Sequence, residues 1–112
     1  MAALPAGTVV FVQFPFSDLS QNNVRPAVVI ANAGRGDWVL CQITSQGYDD
    51  PTAIPLAQSD LKSGSLRATS FARPLKLVTA SDAIFASQVG GLSESARRQI
   101  TETIVAAVQS RA

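Results

Sequence analysis

Stretches that are apolar on both faces constrain the fold of this chain more than any other feature of its sequence. Residues 8–14 read Thr-Val-Val-Phe-Val-Gln-Phe, and both alternating sets of side chains are largely apolar. The β-branched and aromatic residues in this stretch are typical of a strand. A strand that is apolar on both faces needs cover on both faces, as in a barrel, a sandwich, or a sheet beneath a helix or a second subunit.

The sequence predicts several further strands. Residues 24–32 begin with Val24-Arg25-Pro26, and proline is tolerated at a strand start because its missing N–H costs little there. A hairpin turn at 33–37 leads into a third strand at 38–45, again apolar on both faces. We also expect polar loops at 17–23 and 46–51, a short strand at 53–56, and strands at 70–72 and 75–79 that are interrupted by Arg73-Pro74.

The C-terminal part of the chain predicts one long helix. Ser93 is a suitable N-cap, and Ile100, Ile104 and Val108 recur at helical spacing, which together predict about 17 helical residues. The segment before it is expected to be irregular: residues 59–65 are polar and turn-like, residues 81–88 suit a helical turn or two, and Gly90-Gly91 should break the chain.

Length and element order favour one mainly β domain. The chain has 112 residues, of which 46% are apolar and 15% charged, a balance typical of globular proteins. We therefore expect residues 1–112 to form a single domain. Because strands come first and a helix last, without βαβ alternation, we predict a small, partly closed antiparallel barrel with the C-terminal helix packed on it.

No membrane or secretory segment is predicted, so we expect a cytoplasmic protein. A transmembrane helix needs about 20 apolar residues, and the longest apolar runs are far shorter. The N-terminus also lacks the basic and long apolar regions of a secretory signal.

The absence of histidine and the single cysteine exclude many kinds of chemistry. They remove the Ser-His-Asp triad, the Cys-His pair, histidine metal sites and multi-cysteine zinc sites. We expect no metal and no cofactor, and any reaction must use Arg, Lys, carboxylates, hydroxyls or water. The net charge of +1 is small for a nucleic-acid-binding protein, although residues 61–112 are basic and residues 1–60 acidic.

Three predicted strands end in polar groups that stand out from their apolar surroundings. Arg25 is a lone cation at the start of an apolar strand, Thr44-Ser45-Gln46 ends another, and Ser70 and Arg73 bracket a third. If these strands end at one rim, the groups converge on one concave surface. Each feature alone is ordinary, because arginines before proline usually lie on the surface and Thr-Ser pairs usually form turns.

Several short motifs occur in order along nearly the whole chain. They are Gly7-Thr8-Val9-Val10-Phe11-Val12-Gln13-Phe14, the polar loop 17–23 followed by Arg25-Pro26-Ala27-Val28-Val29-Ile30, then Ile43-Thr44-Ser45-Gln46, Ser70-Phe71-Ala72-Arg73, and Gly90-Gly91-Leu92-Ser93 before the terminal helix. In this ordered set the chain resembles the MazF/PemK (Kid-like) toxins of type II toxin–antitoxin systems.

The resemblance implies an SH3-like barrel that forms a homodimer. It also implies a metal-independent, sequence-selective endoribonuclease that cleaves single-stranded RNA, mostly mRNA, and a cognate antitoxin that occupies the RNA groove. Arg25 matches the family's catalytic arginine and Thr44 its catalytic threonine, and Arg73 matches an arginine that some members use at the site. The other residues expected to contact RNA are Gln13, Ser45, Gln46 and Ser70.

The chain also departs from the family's pattern. Gln13 stands where many members carry Asp, Leu75 stands where the Kid-like branch has an acid, and the histidine of that branch is absent. The group that accepts the 2′-OH proton is therefore open, with Asp18, Asp49, Asp50 or a water as candidates.

Two other functions compete with RNA cleavage. The CcdB gyrase poisons share the barrel and the dimer but act by binding a protein, which needs no Arg25/Thr44 pair. A catalytically degenerate SH3-like binding module is the other alternative.

The sequence gives a separate reason to expect dimerisation. Strands that are apolar on both faces leave apolar surface that needs cover.

Overall fold

Seven strands, one α-helix and two three-residue 3-10 helices, Gln58–Asp60 and Asp82–Ile84, make up the architecture of the described part of the chain. The structure is a computed structural model that describes residues 4–13, 24–46, 49–66 and 69–110. The elements are β1 (Thr8–Gln13), β2 (Val24–Gly34), β3 (Asp37–Thr44), β4 (Ile54–Leu56), β5 (Leu61–Ser63), β6 (Ser70–Ser81), β7 (Phe85–Leu92) and α1 (Glu94–Gln109). The predicted loop at 17–23 lies outside the described residues.

The strands form one curled antiparallel sheet. Their order is β4-β6-β3-β2-β1-β7-β5, and every pair is antiparallel. The edge strands β4 and β5 follow each other in the sequence and are separated only by residues 57–60. Because so short a segment joins the two edges, the sheet curls into a half-barrel, as the two-sided apolar strands predicted.

Two apolar clusters, one on each face of the sheet, explain the two-sided patterning. The inner cluster lies in the concave side and contains Val9, Val28, Cys41, Ile43, Ile54, Leu56, Ala72, Leu92, Ala96 and Ile100. The outer cluster contains Val10, Val12, Ala27, Val29, Trp38 and Leu40. Successive residues of a strand point to opposite faces, so β1, β2 and β3 each contribute to both clusters.

The outer cluster is covered by the chain itself. Its members are at most 4% exposed, and Leu4, Val78, Ala80, Ile84 and Phe85 pack against it. The curled sheet thus brings the far half of β6 and the start of β7 over residues that the sequence left without cover. The apolar patterning is therefore satisfied within one chain and does not by itself require a second subunit.

The helix begins and ends where the sequence predicted. The Ser93 side chain accepts a hydrogen bond from the Ala96 backbone N–H at 3.2 Å, as an N-cap does. Glu94 pairs with Arg97 at 2.6 Å and with Arg98 at 3.5 Å, and these cations lower its pKa. Buried Ala96 and Ile100 place α1 against the inner cluster. None of the described helices is long and apolar enough to span a membrane.

The predicted break at Gly90-Gly91 is wrong, because both glycines lie inside β7. They are needed there for close packing: a Cβ on Gly90 would collide with the Ser63 carbonyl oxygen, and one on Gly64 with the Val89 carbonyl oxygen. The polar segment predicted as a turn contains the short strand β5, which pairs with β7 across this contact. The helical turns expected at 81–88 shrink to Asp82–Ile84, after which the chain continues as β7.

The two strands predicted on either side of Arg73-Pro74 are one strand, β6. Gln42 is opposite Arg73 but Cys41 is opposite Leu77, so the extra residues of β6 form a bulge at this point. Pro74 lies in the bulge, where a missing N–H removes no ladder hydrogen bond. The Cys41 thiol donates a hydrogen bond to the Arg73 carbonyl oxygen at 3.1 Å, and burial raises the pKa of this thiol to about 12.

Candidate active site

One cleft at the rim of the half-barrel collects most of the predicted site residues. It has a volume of about 250 Å³ and is lined by Phe11, Arg25, Pro26, Ile43, Thr44, Ser45, Leu66 and Ser70. We call it the Arg25 cleft. It brings together the start of β2, the end of β3 and the start of β6, which is the convergence at one rim that the sequence suggested.

Strand register places the two principal side chains next to each other. In the β2–β3 pair, Ala27 is opposite Gln42. Arg25 lies two residues before Ala27 and Thr44 two residues after Gln42, so alternation places both on the same face of these neighbouring strands, beyond the last paired residues. Arg25 is exposed and Thr44 half-buried. No carboxylate within the described ranges forms a salt bridge with Arg25, so its guanidinium is available to an anion.

The Thr44 hydroxyl is fixed by a hydrogen bond from the chain that follows it. Its Oγ1 accepts from the Gln46 backbone N–H at 3.1 Å. A hydroxyl that accepts one hydrogen bond still has its own hydrogen to donate. Thr44 can therefore donate to an oxygen bound in the cleft while its rotamer is held.

The remaining predicted residues are divided between the cleft and its surroundings. Ser45 and buried Ser70 line the Arg25 cleft. Gln46 contributes its backbone to Thr44, and its side chain is not among the described groups that line the cleft. Gln13 is exposed at the end of β1, opposite Val24, and is likewise not among those groups.

Arg73 lies in a second cleft beside the first, which we call the Arg73 cleft. This cleft has a volume of about 340 Å³ and is lined by Asp49, Asp50, Pro51, Thr52, Arg73, Leu75 and Lys76. Thr44 is opposite Phe71 on β6, so Arg73 is the next residue along β6 on the same face. Such diagonal neighbours in a sheet are about 7–8 Å apart.

Arg73 is held by two side chains. Its Nε donates to Asp50 Oδ2 at 2.8 Å, and its Nη1 donates to Gln42 Oε1 at 3.4 Å. Asp50 is itself fixed, because its Oδ1 accepts from the Thr52 backbone N–H at 2.9 Å and from the Thr52 hydroxyl at 2.7 Å. The hydrogen bonds from Arg73 and Thr52 lower the pKa of Asp50 to about 2.

These contacts bear on the candidate proton acceptors. A carboxylate with a pKa of about 2 is a weak base near neutral pH, and both Asp50 oxygens already accept hydrogen bonds. Asp49 is exposed and lines the Arg73 cleft, and Asp18 lies outside the described residues. Asp49, Asp18 and a water therefore stay candidates, and Asp50 becomes a poor one.

The partners of Arg73 are what sequence reasoning missed. Asp50 was considered only as a proton acceptor, and Gln42 was not considered at all. An aspartate two residues before a threonine is a local turn signal, but pairing Asp50 with Arg73 depends on strand register. Among the described residues, no three His, Cys, Asp or Glu side chains are grouped as a metal site would require.

A family comparison matches almost the entire chain. Residues 6–108 match the sequence model of the PemK-like, MazF-like toxins of type II toxin–antitoxin systems. A comparison with curated protein sequences finds no match.

Solved structures agree on the fold. MazF from Deinococcus radiodurans superimposes with a TM-score of 0.74 at 16% identity, over 98% of this chain and 100% of that one. An endoribonuclease from a mycobacterial species, in complex with its cognate antitoxin, gives 0.72 at 16% identity, over 96% and 95%. The Mycobacterium tuberculosis toxin MazF-mt6 gives 0.70 at 16% identity, over 90% and 95%.

Proposed function

Since this chain belongs to the family of PemK-like, MazF-like toxins of type II toxin–antitoxin systems, we propose that it is an endoribonuclease that uses Arg25 and Thr44 to cleave RNA. The observation that carries this proposal is the shared cleft on adjacent strands. It is lined by Arg25, with which no carboxylate of the described residues forms a salt bridge, and by Thr44, whose hydroxyl is held by the Gln46 N–H. Structures with the same fold include two proteins from mycobacterial species that are described as endoribonucleases. Neither the family match nor these structures support the gyrase-binding alternative.

RNA supplies its own nucleophile, so the protein has a limited task. The 2′-OH of the ribose attacks the adjacent phosphorus, the P–O5′ bond breaks, and the products are a 2′,3′-cyclic phosphate and a 5′-OH. The 2′-OH proton passes to a base, and the 5′-oxygen gains a proton. Negative charge on the phosphoryl oxygens increases as the reaction proceeds, and cationic donors placed beside them lower the barrier.

Arg25 and Thr44 suit different parts of this task. A guanidinium stays charged and matches the geometry of phosphate oxygens, so Arg25 stabilises the developing charge. It cannot accept the 2′-OH proton, because it has no basic form near neutral pH. Thr44 donates its hydroxyl hydrogen to a phosphoryl oxygen and orients the phosphate for in-line attack.

The biological setting follows from this chemistry. We propose single-stranded mRNA as substrate, a cytoplasmic location, and a cognate antitoxin that blocks the site. Ser45 and Ser70 contact the bound RNA within the Arg25 cleft, Arg73 contacts it from the neighbouring cleft, and Gln13 and Gln46 contact it from the rim. We further propose that residues 1–112 form one domain that works as a homodimer, which light scattering at micromolar concentration would test. The reaction requires no metal.

The decisive experiment is incubation of the purified protein with single-stranded RNA, with and without EDTA. We expect cleavage that survives EDTA and leaves 5′-OH ends. Replacing Arg25 with alanine should lower kcat by about 100-fold or more, since removing one such stabilising donor from an active site costs that much. The melting temperature should hardly change, because Arg25 is exposed.

Arg35→Ala is the matched control, since Arg35 is an equally exposed arginine in the β2–β3 turn. It removes the same charge far from the cleft and should leave kcat unchanged. An Arg25→Ala protein that cleaves as fast as the wild type would overturn the catalytic role of Arg25. A wild-type protein that cleaves no RNA but inhibits gyrase supercoiling would overturn the proposed activity.

A further inference from the structure

Arg73 has unused hydrogen-bonding capacity on the RNA-facing side of the sheet. A guanidinium carries five N–H donors, and Asp50 and Gln42 each take one from Arg73. Within the described ranges, the other three donate to no protein acceptor. The side chain is 35% exposed, so these donors can reach a ligand in the Arg73 cleft.

The contacts of Asp50 hold the Arg73 guanidinium in one orientation. Its carboxylate is only 15% exposed and is fixed by Thr52 through two hydrogen bonds on the opposite oxygen. Its backbone oxygen accepts from the Ala53 N–H at 3.1 Å, which closes a turn. Asp50 therefore binds the Nε edge of Arg73 from a rigid support, while Gln42 on β3 binds Nη1.

We propose that Asp50 is a positioning residue for RNA binding: it holds Arg73 by Nε so that the free N–H donors bind a phosphate next to the one that reacts at Arg25 and Thr44. The inference rests on the proposed function and adds a second phosphate subsite to it. Arg73 lines a different cleft from Arg25, and its guanidinium is drawn toward the loop that carries Asp50. Lys76 lines the same cleft and adds positive charge there.

The direction in which RNA binding changes when Asp50 is replaced distinguishes a positioning role from a purely electrostatic one. Removing any carboxylate near RNA should strengthen binding if only Coulomb repulsion matters. Positioning predicts the opposite for Asp50, because an Arg73 that has lost its support must be ordered when RNA binds. A phosphate that does not react contributes equally to the ground state and the transition state, so its loss raises KM and leaves kcat unchanged.

The test begins by mapping where the wild-type protein cleaves a single-stranded RNA, and then measures kcat and KM on a short RNA containing that site. Asp50→Asn should raise KM about five-fold, with kcat within about two-fold of wild type. The control is Glu102→Gln, which removes an exposed carboxylate from α1, outside the residues that line either cleft. It should leave both KM and kcat unchanged.

A charge reversal separates positioning from a purely structural ion pair. Asp50→Arg combined with Arg73→Asp can restore the ion pair, and thus the melting temperature, but it presents an acid to the RNA. We expect stability to recover and KM to stay high. If KM also recovers, the pair is only structural and the proposal is overturned.

A substrate series keeps the proposal testable even if the Asp50 variants fold poorly. RNAs in which one phosphate at a time is replaced by a neutral methylphosphonate should reveal one position, next to the cleaved bond, where wild-type KM rises by a similar factor. Where the Asp50→Asn variant folds, its KM should rise little further when that phosphate is replaced. If no neighbouring phosphate matters, or if Asp50→Asn lowers KM or leaves it unchanged, the subsite is wrong while RNA cleavage stands. If the wild type cleaves no RNA, both proposals fail together.

Discussion

The Arg25 cleft and the junction of β5, β7 and α1 show how differently two parts of one small sheet are built. At the junction, glycines bring backbones into direct contact and Leu92 and Ile100 are buried in the inner cluster. At the cleft, exposed and half-buried polar side chains surround an open volume. The residues of the junction pack closely against one another, whereas in the cleft Arg25 forms no salt bridge with a carboxylate of the described residues. We therefore expect substitutions at the junction to lower stability and substitutions in the cleft to lower activity.

The largest effect on stability is expected at the junction. Replacing Gly90 with alanine places a methyl group on the Ser63 carbonyl oxygen, and since this is backbone, the β5–β7 pair must separate. We expect a loss of more than about 3 kcal/mol in the free energy of unfolding, measured by urea denaturation.

Gly34→Ala is the matched control for the collision. Gly34 has a positive φ of 92°, which Gly90 does not share, and nothing lies within 4 Å of its added Cβ. Gly34→Ala should lower the free energy of unfolding only by the backbone strain, about 1 kcal/mol. A loss at Gly90 no larger than the loss at Gly34 would show that the predicted collision with Ser63 is relieved and that close approach does not explain the stability of the junction.

The cleft should show the opposite behaviour when Thr44 is changed. Thr44→Val keeps the shape of the side chain and removes the hydroxyl, so we expect kcat to fall roughly 10- to 100-fold. The free energy of unfolding should change by less than about 0.5 kcal/mol, because the hydroxyl accepts only from an exposed backbone N–H. Single-turnover cleavage and thermal unfolding measure the two quantities.

Thr44→Ser retains the hydroxyl and serves as the control. It should keep most of the cleavage rate. A valine variant that is as active as the serine variant would remove Thr44 from the mechanism.

A smaller effect on stability is expected at the start of α1. Ser93→Ala removes the side chain that accepts from the Ala96 N–H, which should cost about 1 kcal/mol. Ser95→Ala, two residues further along the chain, removes an exposed serine that is not the cap. This change should leave the free energy of unfolding unchanged or raise it slightly. Cleavage per folded molecule should not change in either variant, and urea denaturation with a parallel RNA assay would show it.

The smallest effect is a loss of stability in acid. The pKa of Asp50 is lowered from 3.8 to about 2, so its ion pair with Arg73 stabilises the fold fully above about pH 4. That contribution disappears as the pH falls through about 2. Because the pair is partly exposed to solvent, we expect less than about 1 kcal/mol. Unfolding curves of wild type and Asp50→Asn should converge between pH 4 and pH 2, and a constant difference would assign the stabilisation to other contacts.

Much of the fold could be predicted because it depends on neighbours in the sequence. Ser93 marks the start of α1 through a local hydrogen bond, and the alternation along β1 and β3 predicts two buried faces. Elements made by distant pairing were missed. Strand β5 is a three-residue polar segment, and only its partner β7 makes it a strand.

The candidate site divides in the same way. Arg25, Thr44, Ser70 and Arg73 stood out as polar groups at the ends of apolar strands, and the resemblance to the MazF/PemK toxins gave them their expected roles. Their arrangement depends on register: Arg25 and Thr44 face one cleft, and Arg73 turns toward Asp50 in another. Asp50 lies 23 residues before Arg73 in the chain, and no periodicity in the sequence reveals a contact between such distant residues.

By itself, the sequence determined the residue types that can act on a phosphate, the two-sided apolar strands and the terminal helix. These follow from side-chain chemistry and from contacts between residues close along the chain. The tertiary structure alone decided that the outer cluster is covered by β6 and β7, that Gly90 lies against β5, and that Asp50 holds Arg73. Each depends on how far the sheet curls and on which strands become neighbours, and these are properties of the whole chain.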